Sequence, residues 1–374
     1  MQKIIFSIVA CLLFSCNQAI IEKVSISKVE TYIPNTYLGF DDDVTPAKIA
    51  SFVNNTFYYF LNWENNKLYR YNIETDTLIN EVDVSSVSEH ISFKRNTQVQ
   101  WLKNNLIGFF SNDDQKLILV DTIGKITQII KTSEEDIEEP YVSVSYFDRT
   151  FGYCQNKVFF NKAYIDFVLS EKEDYIKYYS RDMVVSINLL GKEKKHFVKA
   201  PNSYQEGNSF GSFDVYNCVG GDNELIFSFP SNDSLFVYKD FKLVKKVYAG
   251  NFKKHEFQPY DVSKNNNLAL KRKYNITKPF YQKVVYDSYR NLFYRVFKKE
   301  SPYLNEDGTV KRDYNWSLIV LNYNFEVIGE LPFSSTEYSP LVIAPCRKGV
   351  IISSSIEKGV VNSYTLFNIE IKEK

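Results

Sequence analysis

The segment Val284-Val285-Tyr286-Asp287-Ser288-Tyr289-Arg290-Asn291-Leu292-Phe293-Tyr294-Arg295 has the pattern of a β-hairpin. Two runs rich in β-branched and aromatic residues flank a tight turn at Arg290-Asn291, and residues of these types are enriched in strands. Because side chains alternate along a strand, Tyr294 falls on one face of the second strand, and Phe293 and Arg295 fall on the other. The segment therefore predicts two paired strands in which charged residues stand among aromatic side chains.

The hairpin recurs six times along the chain and is its strongest structural pattern. After each tight turn comes an apolar run that is short enough for a strand and too short for a helix. A third strand follows in every repeat, and a fourth follows in the first five. The turns are 50, 51, 67, 68 and 58 residues apart and lie at Asn54-Asn55, Asn104-Asn105, Gln155-Asn156, Asp222-Asn223, Arg290-Asn291 and Lys348-Gly349.

Six four-stranded units in sequence predict an all-β fold, a six-bladed β-propeller that occupies residues 24–374. The sixth repeat ends after its third strand, and the alternating segment from Val24 to Ile33 can supply the fourth and close the ring. Closure removes an open sheet edge that would promote aggregation. A seven-bladed propeller is the alternative, because the two longest intervals could contain a degenerate blade. A β-sandwich fits less well, since its connections would not repeat in this order.

The composition supports a folded β protein and excludes several classes of function. Tyr and Phe are abundant, at 28 and 29 residues, whereas Gly numbers only 14, and this balance suits pleated surfaces. With 45 basic and 45 acidic side chains, the chain lacks the excess of cations that a nucleic-acid binder needs. Basic groups such as Lys271-Arg272-Lys273 are expected to form solvated faces balanced by acidic runs.

The chain contains no local motif for catalysis, nucleotide binding or metal binding. The G-x-S-x-G, H-E-x-x-H, P-loop and G-x-G-x-x-G patterns are absent from the sequence. Three scattered histidines make a His-based metal site improbable. No metal ion or cofactor is therefore predicted, and catalysis is the less favoured interpretation, although propeller enzymes can assemble sites from separate blades. Buried apolar roles are expected for the three thiols Cys154, Cys218 and Cys346.

The N-terminus predicts export and lipid attachment. Lys3 precedes an apolar run from Ile4 to Phe14 that is too short for a permanent membrane span. Leu13-Phe14-Ser15-Cys16 resembles the bacterial lipobox, in which the Cys thiol is acylated and the chain is cut just before it. Residues 1–15 are then a signal peptide, Cys16 carries the lipid, and residues 16–23 form a short tether to the membrane. An ordinary secretory signal is the alternative.

These features together resemble the six-bladed propeller lipoproteins of the Bacteroidetes, among them a family known only as a domain of unknown function. The resemblance rests on the lipobox, on six irregular blades without WD or kelch signatures, and on the hairpin from Val284 to Arg295. It implies a cell-envelope lipoprotein with a propeller body, and it carries no catalytic residues. Asn17, directly after the acylated cysteine, favours the outer membrane, with the body facing either the periplasm or the exterior.

One end of the predicted propeller carries the long connections. The turns between strands one and two, and between strands three and four, are short, whereas the other end includes Asn161 to Asp182 and Ala200 to Gly211. Long loops in a compact domain usually have a function, so ligand contact is expected there, at the mouth of the central channel. The candidate ligand-binding residues are Trp63, Tyr178, Arg181, Tyr204, Arg295, Tyr303 and Trp316.

Two interpretations remain open for these candidates. Exposed aromatic rings can stack on sugars or peptides, and the planar fork of an Arg suits carboxylates. In the structural alternative, which we prefer, the aromatics are partly buried loop anchors, and Arg295 is held between blades by a carboxylate and stacked rings.

The predicted function is a lipid-anchored module of the cell envelope that binds an unknown protein or glycan ligand through its long-loop end. A propeller hydrolase or lyase acting on a glycan, lactone or peptide is the alternative. Clustered carboxylates with shifted pKa values at the channel mouth would favour this enzyme. A third interpretation is a structural envelope protein, which predicts a plugged channel without a concave pocket.

Overall fold

Six antiparallel sheets, one per repeat, make up the fold. The computed structural model describes residues 24–32, 49–54, 57–72, 75, 77–93, 97–102, 105–135, 137–144, 151–166, 169–191, 193–211, 215–251, 255–264, 267–354 and 364–371. The predicted signal peptide, Cys16 and the tether lie outside these ranges. The sheets follow one another as the blades of a six-bladed β-propeller, which confirms the predicted fold. Each blade has four strands, except that two short strands, both paired with the second strand, take the place of the first strand in blade 3.

The N-terminal half of the chain forms β1 and blades 1 to 3. The chain enters the fold with β1 (Val24–Tyr32). Blade 1 contains β2 (Ile49–Asn54), β3 (Phe57–Asn62), β4 (Lys67–Asn72) and β5 (Thr77–Asp83). After α1 (Ser85–Ser88), blade 2 contains β6 (Gln98–Trp101), β7 (Ile107–Ser111), β8 (Lys116–Val120) and β9 (Ile126–Lys131). Blade 3 contains β10 (Tyr141–Val144), β11 (Gly152–Cys154), β12 (Lys157–Tyr164), α2 (Lys172–Ser180), β13 (Asp182–Asn188) and β14 (Lys194–Lys199). Both β10 and β11 pair with β12.

The C-terminal half forms blades 4 to 6. Blade 4 follows α3 (Asn202–Gln205) and contains β15 (Tyr216–Val219), β16 (Leu225–Ser228), β17 (Ser234–Lys239) and β18 (Lys242–Tyr248). A 3₁₀ turn (Val262–Lys264) and α4 (Leu268–Thr277) precede blade 5. Blade 5 contains β19 (Phe280–Asp287), β20 (Leu292–Lys298), β21 (Asn315–Leu321) and β22 (Val327–Ser334). Blade 6 contains β23 (Tyr338–Cys346), β24 (Gly349–Ser354) and β25 (Tyr364–Ile371).

The strand β1 completes blade 6 and closes the ring. The strand order in that sheet is β1-β25-β24-β23. Val24 pairs with Ile371 and Tyr32 pairs with Tyr364, so β1 runs antiparallel to β25 along its whole length. The prediction that the N-terminal strand supplies the missing fourth strand is confirmed.

The turns between first and second strands explain why Asn recurs in the repeats. Asn105, Asn156, Asn223 and Asn291 have φ values of 58–60°. These values lie in the left-handed region, which Asn tolerates better than most residues because its short polar side chain can bond locally. The repeated Asn is therefore a requirement of the turn geometry in blades 2 to 5.

The two ends of the propeller differ in their connections. The turns between first and second strands and between third and fourth strands lie at one end, which we name the short-loop face. The opposite end, the long-loop face, carries the connections from second to third strands and from one blade to the next. The connections that contain α2, α3 and α4 lie at this end, in and between blades 3 to 5.

Inserted helices account for the two longest intervals between repeats. In the interval predicted as a loop from Asn161 to Asp182, α2 begins at a capping box between Glu171 and Asp174. The next interval contains α4, whose N-cap Asn267 accepts a hydrogen bond from a backbone amide of the first turn. The seven-bladed alternative is wrong, because the extra residues form helices instead of a sheet. Within the described ranges, no helix is long and apolar enough to cross a bilayer.

The core lies between the blades, where neighbouring sheets pack face to face. All residues of β7 and β20 are buried, whereas β18, the outermost strand of blade 4, is exposed along almost its whole length. Since inner strands bury both faces, their sequences are continuous apolar runs rather than alternating ones. This pattern explains why the second strands of the repeats were recognisable in the sequence.

Candidate functional site

The long-loop face carries a helical cap, which consists of α2, α3 and α4. Two glycines allow its parts to approach closely. Gly207 has a φ of +83°, and a Cβ there would lie 2.8 Å from the Lys172 carbonyl oxygen at the start of α2. Gly211 has a φ of +78°, and a Cβ there would collide with the Asn275 side chain on α4. The connection that enters blade 4 therefore holds both long helices of the cap.

Two of the candidate residues, Tyr178 in α2 and Tyr204 in α3, belong to the helical cap and are almost completely buried. Tyr179 joins them, because its ring centroid is 5.4 Å from that of Tyr178 and 5.0 Å from that of Tyr204. The Tyr204 hydroxyl accepts a hydrogen bond from the Ser231 amide, and burial raises the pKa of Tyr204. In this structure both residues anchor the cap to the blades below it.

Arg181 directly follows α2 and is partly exposed. Its guanidinium makes two hydrogen bonds of 2.9 Å to the Asp166 carboxylate and lies 4.7 Å from the centre of the Tyr164 ring. Its Nε is also 3.4 Å from a carboxylate oxygen of Glu139. The Arg181 guanidinium, a candidate for binding ligand carboxylates, therefore already binds carboxylates of the chain itself.

A buried lysine, Lys162, lies beside Arg181 on the same side of blade 3. Its ammonium donates to the Tyr164 hydroxyl at 2.7 Å and lies 4.6 Å from the centre of the Tyr141 ring. Burial lowers the pKa of Lys162 to about 8, while the carboxylates of Asp182 and Glu139 oppose the shift. Sequence reasoning missed this residue, and its place within an apolar strand was the signal that could have found it.

Arg295 is completely buried between blades 4 and 5. Its guanidinium donates to the carbonyl oxygens of Asn232, Asp233 and Ala249 at 2.6–3.1 Å and to a serine hydroxyl. The guanidinium carbon lies 3.6 Å from the centre of the Tyr281 ring. Burial lowers the pKa of Arg295 to about 10, which leaves it charged at neutral pH. Arg295 lies between two blades and stacks on an aromatic ring, as the structural alternative predicts. Its guanidinium binds backbone carbonyl oxygens, however, and not the carboxylate that this alternative also predicts.

Trp316 is also completely buried, between the blade 5 and blade 6 sheets. Its ring stacks on Phe333 with a centroid separation of 4.4 Å, and its Nε1 donates to the Tyr338 carbonyl oxygen at 2.9 Å. Such a residue fills the core and offers no surface for stacking on a sugar.

The remaining two candidates, Trp63 and Tyr303, are partly buried. Trp63 packs against the core between blades 1 and 2. Tyr303 lies on the long connection of blade 5, with its ring 5.6 Å from the Lys273 ammonium on α4. Of the seven candidates, Tyr178, Arg181 and Tyr204 are joined through intervening tyrosine rings. Arg295 also lies close enough to Tyr204 for its charge to act on the pKa of the Tyr204 hydroxyl.

A groove of about 650 Å³ runs beside α4 on the long-loop face. Three cationic side chains line it, Lys271 and Arg272 from the helix and Arg312 from the long connection of blade 5. None of the three makes an ion pair with a carboxylate in the described part of the chain. Leu268, which is 79% exposed, forms an apolar edge of the groove.

The groove was missed because its basic residues were interpreted as a solvated face. On a helix, Leu268, Lys271, Arg272 and Asn275 are spaced three, four and seven residues apart and share one side. A helix prediction for this segment would have placed these four residues on one surface. The contribution of Arg312, more than 30 residues further on, depends on the fold of blade 5.

A second cavity, of about 300 Å³, lies in the central channel towards the short-loop face. Side chains from the first strands of blades 2 to 6 line it, including Gln100, Asn217, Cys218 and Tyr286. The Gln100 Oε1 atom is buried and has no hydrogen-bond partner among the described residues. Burial raises the pKa of the Cys218 thiol, so the thiol is protonated at neutral pH and is a poor nucleophile. This cavity conflicts with the plugged channel that a purely structural protein would have.

Described carboxylates gather around Arg181 and Lys162 and not at the channel cavity or the groove, where the enzyme alternative would need them. No carboxylate lines the described part of the channel cavity or of the groove. Hydrogen bonds from neighbouring residues, most of them Ser or Thr, lower the pKa of carboxylates that lie in exposed turns and at a helix start, which are Asp83, Asp174, Asp261 and Asp307. In the part of the chain that is described, no three His, Cys, Asp or Glu side chains lie close enough together to hold a metal ion.

Comparison with known proteins identifies a family for most of the chain. The family described as domain of unknown function DUF4221 matches residues 40–332. A crystal structure of a DUF4221 member from Bacteroides vulgatus superposes with a TM-score of 0.72 at 17% identity, over 94% of this chain and 99% of that chain. This similarity supports the six-bladed propeller fold.

Two further solved structures show a weaker likeness that carries no argument about function. The Bacteroides fragilis "Putative exported protein" has a TM-score of 0.48 at 10% identity, over 94% of this chain and 96% of that chain. Virginiamycin B lyase from Staphylococcus aureus has a TM-score of 0.42 at 9% identity, over 88% of this chain and 83% of that chain. No curated protein matches the chain.

Proposed function

The chain belongs to the DUF4221 family, and from that premise we propose that it is a lipid-anchored binding module of the bacterial cell envelope. Its ligand is negatively charged and occupies the groove beside α4 on the long-loop face. The proposal keeps residues 1–15 as a signal peptide, Cys16 as the lipidated residue, residues 16–23 as the tether and residues 24–374 as the propeller domain. It places the anchor in the outer membrane.

The observation that carries the proposal is the set of cations around the groove. Lys271, Arg272 and Arg312 converge on one concave surface, yet the whole chain has a formal net charge of zero. Their charge is therefore a local feature and not a consequence of a basic protein. Arg side chains present paired donors that match carboxylates, and a lysine adds a point charge. An acidic glycan or an acidic peptide has the chemistry that fits this groove.

The groove is open to solvent and has the mixed polar and apolar character of a binding site. Its volume of about 650 Å³ falls in the range of ligand pockets, which is roughly 300–1,000 Å³. The side chains of Leu268 and Ile276 provide apolar contact beside the cations. Binding fits the groove, because its described lining offers cations and an amide side chain but no carboxylate, His, Cys or Tyr.

The test is a binding measurement with two acidic polymers, polygalacturonate and poly-glutamate. The Lys271→Glu/Arg272→Glu variant is compared with a matched control, Lys125→Glu/Lys242→Glu, which makes the same change in net charge at exposed sites on the short-loop side. Each charged hydrogen bond lost is worth about 1.5–3 kcal/mol, so the groove variant should bind at least about tenfold more weakly. The control should bind like the unchanged protein.

The outcomes separate the possible ligands and can reject the groove. Preference for polygalacturonate identifies a glycan ligand, and preference for poly-glutamate identifies a peptide or protein ligand. An equal loss of binding in both variants would show that attraction is a diffuse charge effect. Absence of binding to either polymer at low salt, where such attraction is strongest, would reject an anionic ligand at this groove.

A further inference from the structure

The cavity of about 300 Å³ in the central channel is separate from the groove beside α4. Its described walls come from the first strands of blades 2 to 6, near the ends of those strands at the short-loop face. Several lining side chains, among them Gln100, Asn217 and Tyr286, are partly exposed, so solvent reaches the cavity. A small molecule can therefore enter it from the end of the propeller opposite to the groove.

Two amide side chains reach this cavity from different blades. Gln100 comes from β6 in blade 2, and its buried Oε1 atom has no hydrogen-bond partner among the described residues. Asn217 comes from β15 in blade 4, where Gly152 leaves room for it, because a Cβ on Gly152 would lie 2.8 Å from the Asn217 Oδ1 atom. Since an unpaired buried polar atom is unfavourable, a ligand that donates a hydrogen bond to Gln100 is stabilised there.

Backbone groups add donors and acceptors around the same space. The strands β6, β15, β19 and β23 each pair with a neighbouring strand along one edge only. The other edge of such an innermost strand faces the channel, where its N–H and C=O groups have no strand beside them. Hydrogen-bonding groups of both kinds therefore surround the cavity.

The described lining of the cavity contains no Lys, Arg, His, Asp or Glu side chain. A charged ligand would lose its hydration there without gaining an opposite charge, which is unfavourable. A hydroxyl group, by contrast, both donates and accepts hydrogen bonds, so it pairs with either atom of an amide and with either backbone group. The cavity therefore favours a neutral ligand that carries several hydroxyl groups.

Two tyrosine rings supply the apolar part of the lining. The Tyr153 hydroxyl donates to the Asn156 Oδ1 atom at 3.3 Å, and the Tyr286 hydroxyl donates to the Asn291 Oδ1 atom at 2.8 Å. Both asparagines belong to the left-handed turns of the short-loop face, so these bonds fix the rings beside the cavity. Aromatic rings offer an apolar face on which a sugar can stack. The volume lies at the lower end of the range of ligand pockets, roughly 300–1,000 Å³, which suits one sugar unit rather than a chain.

We propose that the channel cavity is a second binding site, and that its ligand is a neutral monosaccharide or a small polyol. The amides of Gln100 and Asn217 bind the hydroxyl groups of this ligand, and the rings of Tyr153 and Tyr286 contact its apolar face. The site differs from the groove beside α4 in position and in charge, so it goes beyond the proposed function. It does not depend on lipid anchoring or on the anionic ligand of the groove.

The test is a ligand-detected NMR titration of the full-length protein, kept in a detergent without a sugar headgroup. The ligands are glucose, galactose, N-acetylglucosamine and myo-inositol. Gln100→Met and Asn217→Leu each remove one amide and keep a side chain of similar size. The matched control is Gln128→Met, on the outer strand β9 of the same blade as Gln100.

At least one of these ligands should bind saturably to the unchanged protein. Each cavity variant should weaken that binding about threefold to tenfold, which is the effect of losing one neutral hydrogen bond. The control Gln128→Met and the groove variant Lys271→Glu/Arg272→Glu should bind as the unchanged protein does. In the groove variant, glucuronate should bind more weakly than glucose, because it differs from glucose by a carboxylate.

Circular dichroism separates loss of folding from loss of a ligand contact. Because the Gln100 Oε1 atom has no partner in the described fold, Gln100→Met should keep the Tm of the unchanged protein. If this variant does not fold, Asn217→Leu provides the same comparison from another blade.

Three outcomes would overturn the inference. They are absence of saturable binding for all four ligands, equal binding by the folded cavity variants and the unchanged protein, and loss of binding in the groove variant alone. Tighter binding of glucuronate than of glucose would overturn the neutral character of the ligand. Because the four ligands are uncharged, none of these results decides whether the groove binds an anion.

Discussion

The short-loop face and the long-loop face of this propeller are built in different ways. The short-loop face repeats one element, a tight turn that places Asn in the left-handed region in blades 2 to 5. Arg290 joins two of these turns, because its guanidinium bonds to the buried Asp287 carboxylate in blade 5 and to the Cys346 carbonyl oxygen in blade 6. The repeated end therefore supplies contacts that link blade to blade.

The long-loop face is built from insertions that differ from blade to blade. The helices α2 and α3 are anchored by buried tyrosines, and α4 is held by Lys298, whose ammonium donates to the Ile276 and Lys278 carbonyl oxygens at the end of that helix. Positive charge at this end of a helix is favourable. The difference between the faces shows that repeated turns and strands build the ring, whereas inserted helices build the ligand surface.

The largest expected effect is at the short-loop face. Arg290→Leu should lower the free energy of unfolding by about 3–5 kcal/mol, because it leaves a completely buried carboxylate, Asp287, without its cation. Urea unfolding followed by circular dichroism measures this loss. The control Arg312→Leu, at an exposed position of the long-loop face, should change stability by less than about 0.5 kcal/mol. Equal losses in the two variants would remove the contrast between the faces.

The next effect should be confined to the long-loop face. Lys298→Met removes two hydrogen bonds from a charged donor to the end of α4, worth about 1.5–3 kcal/mol each. Amide hydrogen exchange within residues 268–277 should become at least about tenfold faster, while exchange in the strands stays the same. Lys299→Met, which removes only a partly exposed ion pair with Glu330, is the control. Faster exchange throughout blade 5 would contradict a locally attached cap.

A smaller effect should appear as a dependence of stability on pH. The folded-state pKa of Lys162, about 8, lies below the usual lysine value of 10.5. Between these values the unfolded chain binds a proton that the folded chain does not, so stability rises with pH. From pH 8 to 9.5 the gain should be about 1–2 kcal/mol relative to Lys162→Met, at 1.36 kcal/mol per pH unit. Identical pH profiles of the two proteins would show that Lys162 does not titrate in this range.

The smallest effect should come from the exposed apolar residues of both faces. Ile123→Ser and Leu268→Ser should each change the free energy of unfolding by less than about 0.5 kcal/mol, because both side chains are 79% exposed. Thermal unfolding of the soluble protein provides the measurement. A loss above about 1 kcal/mol for Ile123→Ser would mean that the Ile123 side chain contributes packing to the fold despite its exposure.

The repeated end of the molecule could be predicted from the sequence with few errors. Each tight turn has a local signature, and the strand that follows it is a continuous apolar run, so the blades could be counted. The two helices α2 and α4 were missed although their signals were local, a capping box at Glu171 and an Asn267 N-cap. Their short length and polar composition made them resemble long loops.

The candidate site was less predictable because burial depends on contacts between blades. Arg295 and Trp316 have residue types that recognise ligands when exposed, but neighbouring sheets enclose both completely. The groove was not predicted from the sequence, because Arg312 joins Lys271 and Arg272 only after blade 5 has folded against α4. No pattern within a single segment of the sequence predicts that these three residues lie close together.

By itself, the sequence determined the strand-rich fold, the number of blades and the closing of the ring by the N-terminal strand. These properties follow from local turn geometry and from apolar runs, which act over a few residues. Only the tertiary structure decided which charged and aromatic residues are enclosed and where three cations meet. These properties follow from the packing of whole sheets around a ring, which brings together residues that are far apart in the chain.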